Sequence, residues 1–174
     1  MPESACLEFE MFDENNYLEI LRIFEGEDNP FFMDYYRNRK DLEQYKIGLL
    51  EYNRFSSNHA GCDWLVKLKG TNTYIGILHL YELSLETFLN RHKRCTIGFA
   101  FGQQYRRKHY GTEAVQYFCQ FIFSHFKMNC ILAYTDKRNS SSIAFIRQLN
   151  FIQCDEKYSA ERLHFFELFE KNTK

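Results

Sequence analysis

The chain has 174 residues, which leaves room for one domain, because domains average about 150 residues. Apolar residues make up 45% and charged residues 26%, and this core material excludes a mainly disordered chain. No apolar run approaches the about 18 residues of a membrane-spanning helix, and the N-terminus lacks the basic-then-apolar pattern of a signal peptide. We expect a single domain over residues 1–174 that is cytoplasmic and has no membrane partner.

The net charge of −1 hides an uneven distribution along the chain. Residues 1–60 carry six Lys or Arg against thirteen Asp or Glu, a net −7, whereas residues 61–150 carry twelve against five, a net +7. This asymmetry indicates either a surface for a cationic substrate beside a pocket for an anionic ligand, or charges that only cover solvated faces. Charge alone favours the second interpretation.

The cysteines indicate the redox state of the chain. They lie at positions 6, 62, 95, 119, 130 and 154, and no two have the CxxC spacing of zinc sites and redox motifs. We therefore predict reduced thiols in the core, with neither disulfides nor a bound metal.

The first half of the sequence predicts a strand, two helical segments and a hairpin. Asp13 is a good N-cap residue and Gly26 a good stop for the first helix. A Gly-Thr-Asn turn at 70–72 separates two strand-like apolar runs, which predicts the hairpin. The predicted elements are a strand at 5–12, a helix at 13–26, a longer and broken helical stretch at 29–55, and strands at 64–68 and 74–80.

The second half predicts alternating strands and helices. Val115, Phe118, Cys119 and Ile122 recur at helical spacing, which is typical of an amphipathic helix. Asn150 stands just past the helix predicted at 140–149, where a residue with a left-handed backbone conformation is expected. The predicted elements are strands at 95–101 and 129–135, helices at 112–126 and 140–149, and a final hairpin of 151–156 with 162–169. The order β-α-α-β-β-β-α-β-α-β-β indicates an α/β fold, a mixed sheet with helices on both faces.

A basic loop leads from the strand at 95–101 into the amphipathic helix. Arg106, Arg107, Lys108 and His109 supply cations there, and the start of a helix adds free backbone N–H groups and a positive dipole end. Such a combination is typical of a phosphate site. A solvated basic turn is the alternative interpretation.

This strand and loop resemble the central motif of the GCN5-related N-acetyltransferase (GNAT) superfamily. Ile97-Gly98-Phe99 matches its Ile-Gly strand, and the segment from Tyr105 to Ala114 (Tyr-Arg-Arg-Lys-His-Tyr-Gly-Thr-Glu-Ala) matches its Tyr-Arg-Gly-Lys-Gly-Tyr-Gly-Thr-Glu-Ala loop. A second motif, Asn-x-x-Ser followed by Leu-Gly-Phe, is matched by Asn139, Ser142, Leu149, Asn150 and Phe151. The resemblance spans nearly the whole chain, and within the superfamily the sequence looks like the ribosomal-protein N-terminal alanine acetyltransferases.

The resemblance implies a GNAT fold and transfer of an acetyl group from acetyl-CoA to a primary amine, without a metal. It implies that the backbone of Phe99, Ala100 and Phe101 binds the pantetheine arm of the cosubstrate. It also implies a pyrophosphate site formed by Arg106, Arg107, Lys108, His109, Tyr110, Gly111 and Thr112. Asn139 and Ser142 match positions that contact the same arm, and the Ser142 hydroxyl is expected to act in catalysis by stabilising the departing thiolate. Capping of the helix at 140–149 is an alternative or additional role for both.

The sequence departs from the family pattern at four positions. Arg107 and His109 stand where the phosphate loop usually has glycine. Thr96 occupies a position where this branch often has Glu, and Ile146 occupies the position of a general-acid Tyr in other branches. The departures leave the general base of this chain unassigned.

Deprotonation of the acceptor amine limits the choice of substrate, because the thioester is already activated and the rest of the rate comes from positioning. At pH 7 an α-amino group with a pKa near 8 is roughly a tenth neutral, whereas a Lys side chain near 10.4 is neutral only to the order of one part in a few thousand. A weak base is therefore better suited to an α-amino group than to a Lys side chain. Glu82, at the end of the 74–82 strand, is our candidate for a catalytic base acting through water; an ordinary solvated carboxylate is the alternative.

The acidic first sixty residues border the acceptor side in this superfamily, so a cationic amine is expected to be attracted there. Phe31, Phe32, Tyr35 and Tyr36 are candidates to line that side, although packing against the sheet is expected for at least half of them. Two other function classes stay open. One is a module that holds coenzyme A without turnover. The other, nucleic-acid binding through Arg91–Arg94 and Arg106–Lys108, is disfavoured by the near-zero net charge.

Overall fold

A mixed seven-stranded sheet forms the centre of the fold in the computed structural model, which describes residues 4–55, 59–88, 92–154 and 162–170. The strand order across the sheet is β1-β2-β3-β4-β5-β7-β6. The strands are β1 Leu7–Met11, β2 His59–Leu68, β3 Tyr74–Phe88, β4 His92–Phe101, β5 Cys130–Asp136, β6 Ile152–Gln153 and β7 Leu163–Phe169. The final hairpin is confirmed, because β6 pairs antiparallel with β7.

Helices cover both faces of the sheet, as the sequence predicts. They are α1 Glu19–Ile23, α2 Arg39–Phe55, α3 Tyr110–Phe126 and α4 Ser140–Gln148, with 3₁₀ turns at Asp34–Tyr36 and Gln103–Tyr105. Side chains of α1 and α2 pack on one face around Ile77 and Ala100. Side chains of α3 and α4 pack on the other face around Leu78 and Ile97. The element order is confirmed.

The two N-terminal helices are shorter than the sequence predicts. Asp13 does act as a cap, but its Oδ1 accepts the N–H groups of Asn15 and Asn16 in a turn, and the helix starts only at Glu19. Short polar side chains that bond to nearby backbone compete with helix formation in this way. The stretch predicted at 29–55 is indeed broken: a 3₁₀ turn at Asp34–Tyr36 precedes α2.

The parallel pairing of β4 with β5 is confined to three residue pairs. Arg94, Cys95 and Thr96 pair with Cys130, Ile131 and Leu132. Beyond them, residues 97–101 and 133–136 have no pairing with each other in the described part of the chain. The two strands therefore separate and leave a cleft that opens between the two helical layers.

The cysteines are all free, as predicted, but not all lie in the core. Cys95, Cys119 and Cys130 are buried, whereas Cys6 is exposed. Burial raises the pKa of Cys95 to about 12, which makes its thiol unreactive at neutral pH.

Gly76 offers a test of how closely β3 and β4 approach each other. A Cβ at this position would lie 2.6 Å from the carbonyl oxygen of Ala100 and against the ring of Phe101. We expect Gly76→Ala to lower the free energy of unfolding by about 1–3 kcal/mol, because backbone atoms cannot move aside cheaply. Gly48 in α2 has no neighbour within 4 Å of its Cβ position, so Gly48→Ala should instead raise stability by about 0.5–1 kcal/mol. Urea unfolding of both variants measures the contrast, and equal effects would contradict the predicted overlap at residue 76.

Candidate active site

The cleft wall formed by β4 carries the three residues predicted to bind the pantetheine arm. Phe99, Ala100 and Phe101 pair with Leu78, Ile77 and Gly76 of β3 along one edge. The opposite edge of β4 faces the cleft and has no strand partner from residue 97 onward within the described ranges. Backbone N–H and C=O groups on such an edge need partners, so an extended amide-containing ligand fits there.

The loop after β4 leaves several backbone N–H groups without a protein acceptor among the described residues. Arg107 and His109 both adopt left-handed backbone conformations, with φ of 59° and 64°. Among the described residues, no atom accepts a hydrogen bond from the backbone N–H groups of residues 107–112. Three of these N–H groups belong to the first turn of α3. Successive N–H groups in a turn of this type form an anion site that the helix dipole reinforces. The exposed side chains of Arg107, Lys108 and His109 surround it.

Arg106 makes several contacts within the protein. Its Nε donates to the carbonyl of Phe101 at 2.9 Å, and its terminal nitrogen pairs with the buried carboxylate of Glu27. The guanidinium also lies 5.0 Å from the ring centre of Phe32. These contacts fix the start of the loop to the segment between α1 and α2. The phosphate contact of Arg106 stays a prediction.

The second predicted motif lies at the start of α4. The Asn139 side chain caps the helix by accepting the Ser142 N–H at 3.1 Å, so the capping role is confirmed. The Ser142 side chain is half-buried and its hydroxyl bonds to none of the described residues. Ile146 is buried in the core below α4, so no acidic or phenolic group replaces the family tyrosine at that position.

Glu82, the candidate base, belongs to β3 and follows Tyr81, which pairs with Thr96 at the point where β4 and β5 begin to separate. The side chain of Glu82 lies outside the described residues. Thr96 is buried, with 3% of its surface exposed.

A buried polar cluster beneath the cleft was not anticipated from the sequence. His79 of β3 and Asp63 of β2 are 2% and 1% exposed, and their Nδ1 and Oδ1 atoms lie 2.9 Å apart. The hydroxyl of Tyr36 lies 2.7 Å from Nε2 of His79, and the Tyr45 hydroxyl donates to Oδ2 of Asp63 at 2.6 Å. The available signal was the alternation Ile75, Ile77, His79, which places the imidazole on a buried face of the strand.

Tyrosines surround this pair, and they are neutral. Burial raises the pKa of Tyr35, Tyr36, Tyr45 and Tyr81 well above the ordinary value, and the charge of Asp63 raises each further. Their hydroxyls therefore keep their protons at physiological pH and act as both donors and acceptors.

The sequence profile described as "Acetyltransferase (GNAT) domain" matches residues 13–152, which is most of the chain. The chain belongs to this GNAT acetyltransferase family. It is therefore an N-acetyltransferase. No curated protein sequence matches the chain.

Solved structures of GNAT enzymes share the fold over nearly the whole length. The ribosomal-protein-S5-alanine acetyltransferase from Vibrio fischeri has 17% identity and a TM-score of 0.72, covering 99% of this chain and 98% of that one. The N-acetyltransferase PseH from Campylobacter jejuni has 14% identity and a TM-score of 0.66, covering 96% and 100%. A mutant of the spermidine N-acetyltransferase SpeG from Vibrio cholerae has 9% identity and a TM-score of 0.70, covering 95% of each chain. At these identities the likeness shows the fold alone.

No helix within the described ranges of this GNAT chain is both long and apolar enough to span a membrane.

Substitution of Glu27 tests whether its ion pair with Arg106 stabilises this GNAT fold. The side chains are 33% and 3% exposed. We expect Glu27→Gln to lower the free energy of unfolding by about 1–3 kcal/mol, less than for a fully buried pair because water screens Arg106. The exposed pair of Arg39 and Glu43 is the control, and Glu43→Gln should stay within about 0.5 kcal/mol. Denaturant unfolding that finds the two variants alike would show that the buried pair has no structural role.

Proposed function

We propose that this acetyltransferase uses acetyl-CoA to acetylate the primary amine of a protein N-terminus or of a small molecule. The observation that carries the proposal is the junction of β4 and α3, where an unpaired strand edge leads into a loop of unpaired N–H groups. An extended amide chain ending in a pyrophosphate complements both features at once. Acetyl-CoA, when bound, supplies an activated thioester.

The residues that would hold acetyl-CoA follow from this arrangement. The backbone of Phe99, Ala100 and Phe101 would bind the pantetheine amides along the free edge of β4. The pyrophosphate would be bound by the N–H groups of Arg107, Lys108, His109, Tyr110, Gly111 and Thr112 and by the exposed cations among them. For Arg106 we propose a supporting role beside the predicted phosphate contact. Asn139 positions the start of α4, and the free hydroxyl of Ser142 would donate to the departing thiolate.

The acceptor class is supported by charge and by the similar structures. The first sixty residues carry a net −7 and form α1 and α2 on the face of the sheet opposite α3, so they would attract a cationic amine. Two of the similar enzymes are named for a ribosomal-protein alanine and for spermidine, and both are sources of amines. Glu82 stays one candidate for a base acting through water, and the variants described in the next subsection test it against a second candidate. The free thiols agree with a cytoplasmic location.

Binding of acetyl-CoA is testable without knowledge of the acceptor. We expect acetyl-CoA and coenzyme A to raise the melting temperature, because they bind only the folded state, and His109→Gly to leave or improve their affinity. Glycine suits the left-handed conformation at residue 109. Lys127, at the other end of α3, has the same conformation with φ of 55°, so Lys127→Gly controls for the backbone effect on stability.

Calorimetric titration gives the affinities in this experiment. A loss beyond tenfold, about 1.4 kcal/mol, for His109→Gly alone would show that the imidazole itself binds phosphate. Absence of both heat and a thermal shift at millimolar ligand would contradict the assigned site.

The acceptor class is tested by rates at pH 7 and pH 9 with an alanine-initiated peptide, spermidine and a peptide with an internal lysine. We expect the α-amine of the peptide to be acetylated faster than the internal lysine at pH 7, since a larger fraction of an α-amine is neutral. Spermidine should also exceed the lysine peptide, because its several positive charges are attracted by the acidic first sixty residues. Faster turnover of the internal lysine at pH 7 would overturn this acceptor assignment and leave the acetyltransferase assignment intact.

A further inference from the structure

The buried cluster of Asp63, His79, Tyr35, Tyr36 and Tyr45, called here the His79 cluster, is not explained by folding alone. Replacing a buried ionisable pair with apolar side chains of similar volume is often neutral or stabilising. The cluster nevertheless lies inside the apolar layer formed by α1, α2 and the sheet. Ionisable groups kept at such a place are candidates for a functional site.

The geometry of the pair determines which nitrogen of His79 is free. Two lone pairs facing each other at the 2.9 Å between Nδ1 and Asp63 Oδ1 would repel, so Nδ1 carries the hydrogen. The contact between Nδ1 and Oδ1 is not well aligned: among the described residues, Oδ1 of Asp63 has no partner that meets hydrogen-bond geometry. Nε2 is then the basic atom. It points at the Tyr36 hydroxyl at 2.7 Å and the Tyr35 hydroxyl at 3.5 Å.

Gly98 and Tyr81 connect the His79 cluster to the cleft. Gly98 of β4 lies directly across from His79 in the sheet register. A Cβ at residue 98 would lie 3.3 Å from Cδ2 of His79 and 3.1 Å from Cε2 of Tyr81. A side chain at this position would therefore cover both rings on their β4 side. Tyr81 stacks on His79 with ring centres 5.4 Å apart and is half-buried.

Tyr81 is half-buried, whereas Tyr35 and Tyr36 are buried, so it is the more accessible ring beside His79. Burial raises the pKa of Tyr81, and nearby Tyr35 and Asp63 raise it further. Its hydroxyl therefore keeps its proton, as those of Tyr35 and Tyr36 do.

We propose that His79, held by Asp63, receives the proton that the acceptor amine loses, through the hydroxyl groups of Tyr81, Tyr35 and Tyr36. The inference rests on the acetyltransferase function proposed above. The ammonium gives a proton to the first hydroxyl, each hydroxyl gives its own proton to the next, and the last proton reaches Nε2. The products of this step are a neutral amine and an imidazolium beside Asp63.

The transfer that follows balances without a further base. The amine nitrogen forms a bond to the acetyl carbon, the carbon–sulfur bond breaks, and the second amine proton goes to the departing thiolate. His79 returns its proton to solvent after the product leaves. His79 and Asp63 do not touch the amine and act as positioning residues, whereas Tyr81 would contact it.

Kinetics over a pH range test the relay. With acetyl-CoA and either spermidine or an alanine-initiated peptide amide, we expect His79→Gln and Tyr36→Phe to lower kcat/KM at pH 7 by about 100-fold or more. Their KM for acetyl-CoA should not change. With the peptide amide the deficit should shrink at least tenfold at about pH 9.5, because its α-amine, with a pKa near 8, then arrives neutral and needs no acceptor. A purely structural role would give the same deficit at every pH.

Matched variants separate the relay from a general effect of losing a hydroxyl and from a base at Glu82. Tyr74 lies on β3, like His79, and its hydroxyl donates to Glu10 outside the cluster. Tyr74→Phe removes this hydroxyl and should leave the pH profile unchanged. Glu82→Gln tests the rival base, and a pH-dependent deficit in that variant alone would overturn the relay. Circular dichroism and thermal melting of each variant verify folding. A Tyr36→Phe variant that is folded and fully active at pH 7 would also overturn it.

A measurement on the free protein keeps the inference testable whatever the acceptor is. The groups facing the imidazole are Asp63 from β2, Tyr35 and Tyr36 from the turn before α2, Tyr45 from α2 and Tyr81 from β3. Nitrogen NMR of histidine-labelled protein at neutral pH should show His79 with Nδ1 protonated and Nε2 unprotonated. An Nε2–H tautomer contradicts the relay. Failure of the wild type to acetylate either probe, with the expected tautomer present, contradicts only the proposed acceptor class.

Discussion

The separation of β4 from β5 is the constraint on which the site depends. Pairing stops after Thr96 and Leu132, so each strand beyond that point needs another partner for its backbone on the cleft side. The same separation brings together the free edge of β4, the N–H loop that follows it and the start of α4 that follows β5. In the proposed site, one feature of strand pairing would thus provide the amide-binding edge, the anion site and the Ser142 hydroxyl together. If the two strands were paired to their ends, no extended ligand could enter the sheet.

A second constraint joins the α1 side of the fold, where we propose that the acceptor binds, to the loop after β4, where we propose that the cosubstrate binds. Gly102, at the end of β4, lies against α1 so closely that a Cβ there would be 2.5 Å from the carbonyl oxygen of Ile23. Four residues later, Arg106 pairs with Glu27 just beyond α1 and stacks on Phe32. A side chain that looks like a phosphate ligand in the sequence therefore uses its charge to join two parts of the site. The remaining cations of the loop are exposed, which is where an incoming pyrophosphate can reach them.

Local patterns in the sequence predicted most of the fold and, within the candidate site, the cap by Asn139. The order of elements, the amphipathic helix α3, the left-handed Asn150 with φ of 67° and this cap all depend on neighbours within a few residues. The contacts that the sequence did not indicate join distant residues. The partner of Arg106 is 79 positions away, and the bonds that join His79 to Tyr36 and Tyr45 span 43 and 34 positions. A histidine in an apolar strand gives no indication that an aspartate and four tyrosines will surround it.

In the proposed relay, the distance between the Asp63 carboxylate and the acceptor amine has a chemical consequence. A carboxylate in direct contact with the acceptor would stabilise its ammonium form and raise the pKa of the amine, which opposes attack on a thioester. In this fold the many acidic residues of the first sixty positions are able to steer a cation from a distance, whereas Asp63 lies behind His79 and the tyrosines line the route to it. In the proposed relay, neutral hydroxyls at the point of contact would hold the amine without favouring its charge. Attraction of the substrate and removal of its proton would then belong to different groups. This division would allow a chain with Thr96 in place of the family's base and Ile146 in place of its acid to perform the same transfer.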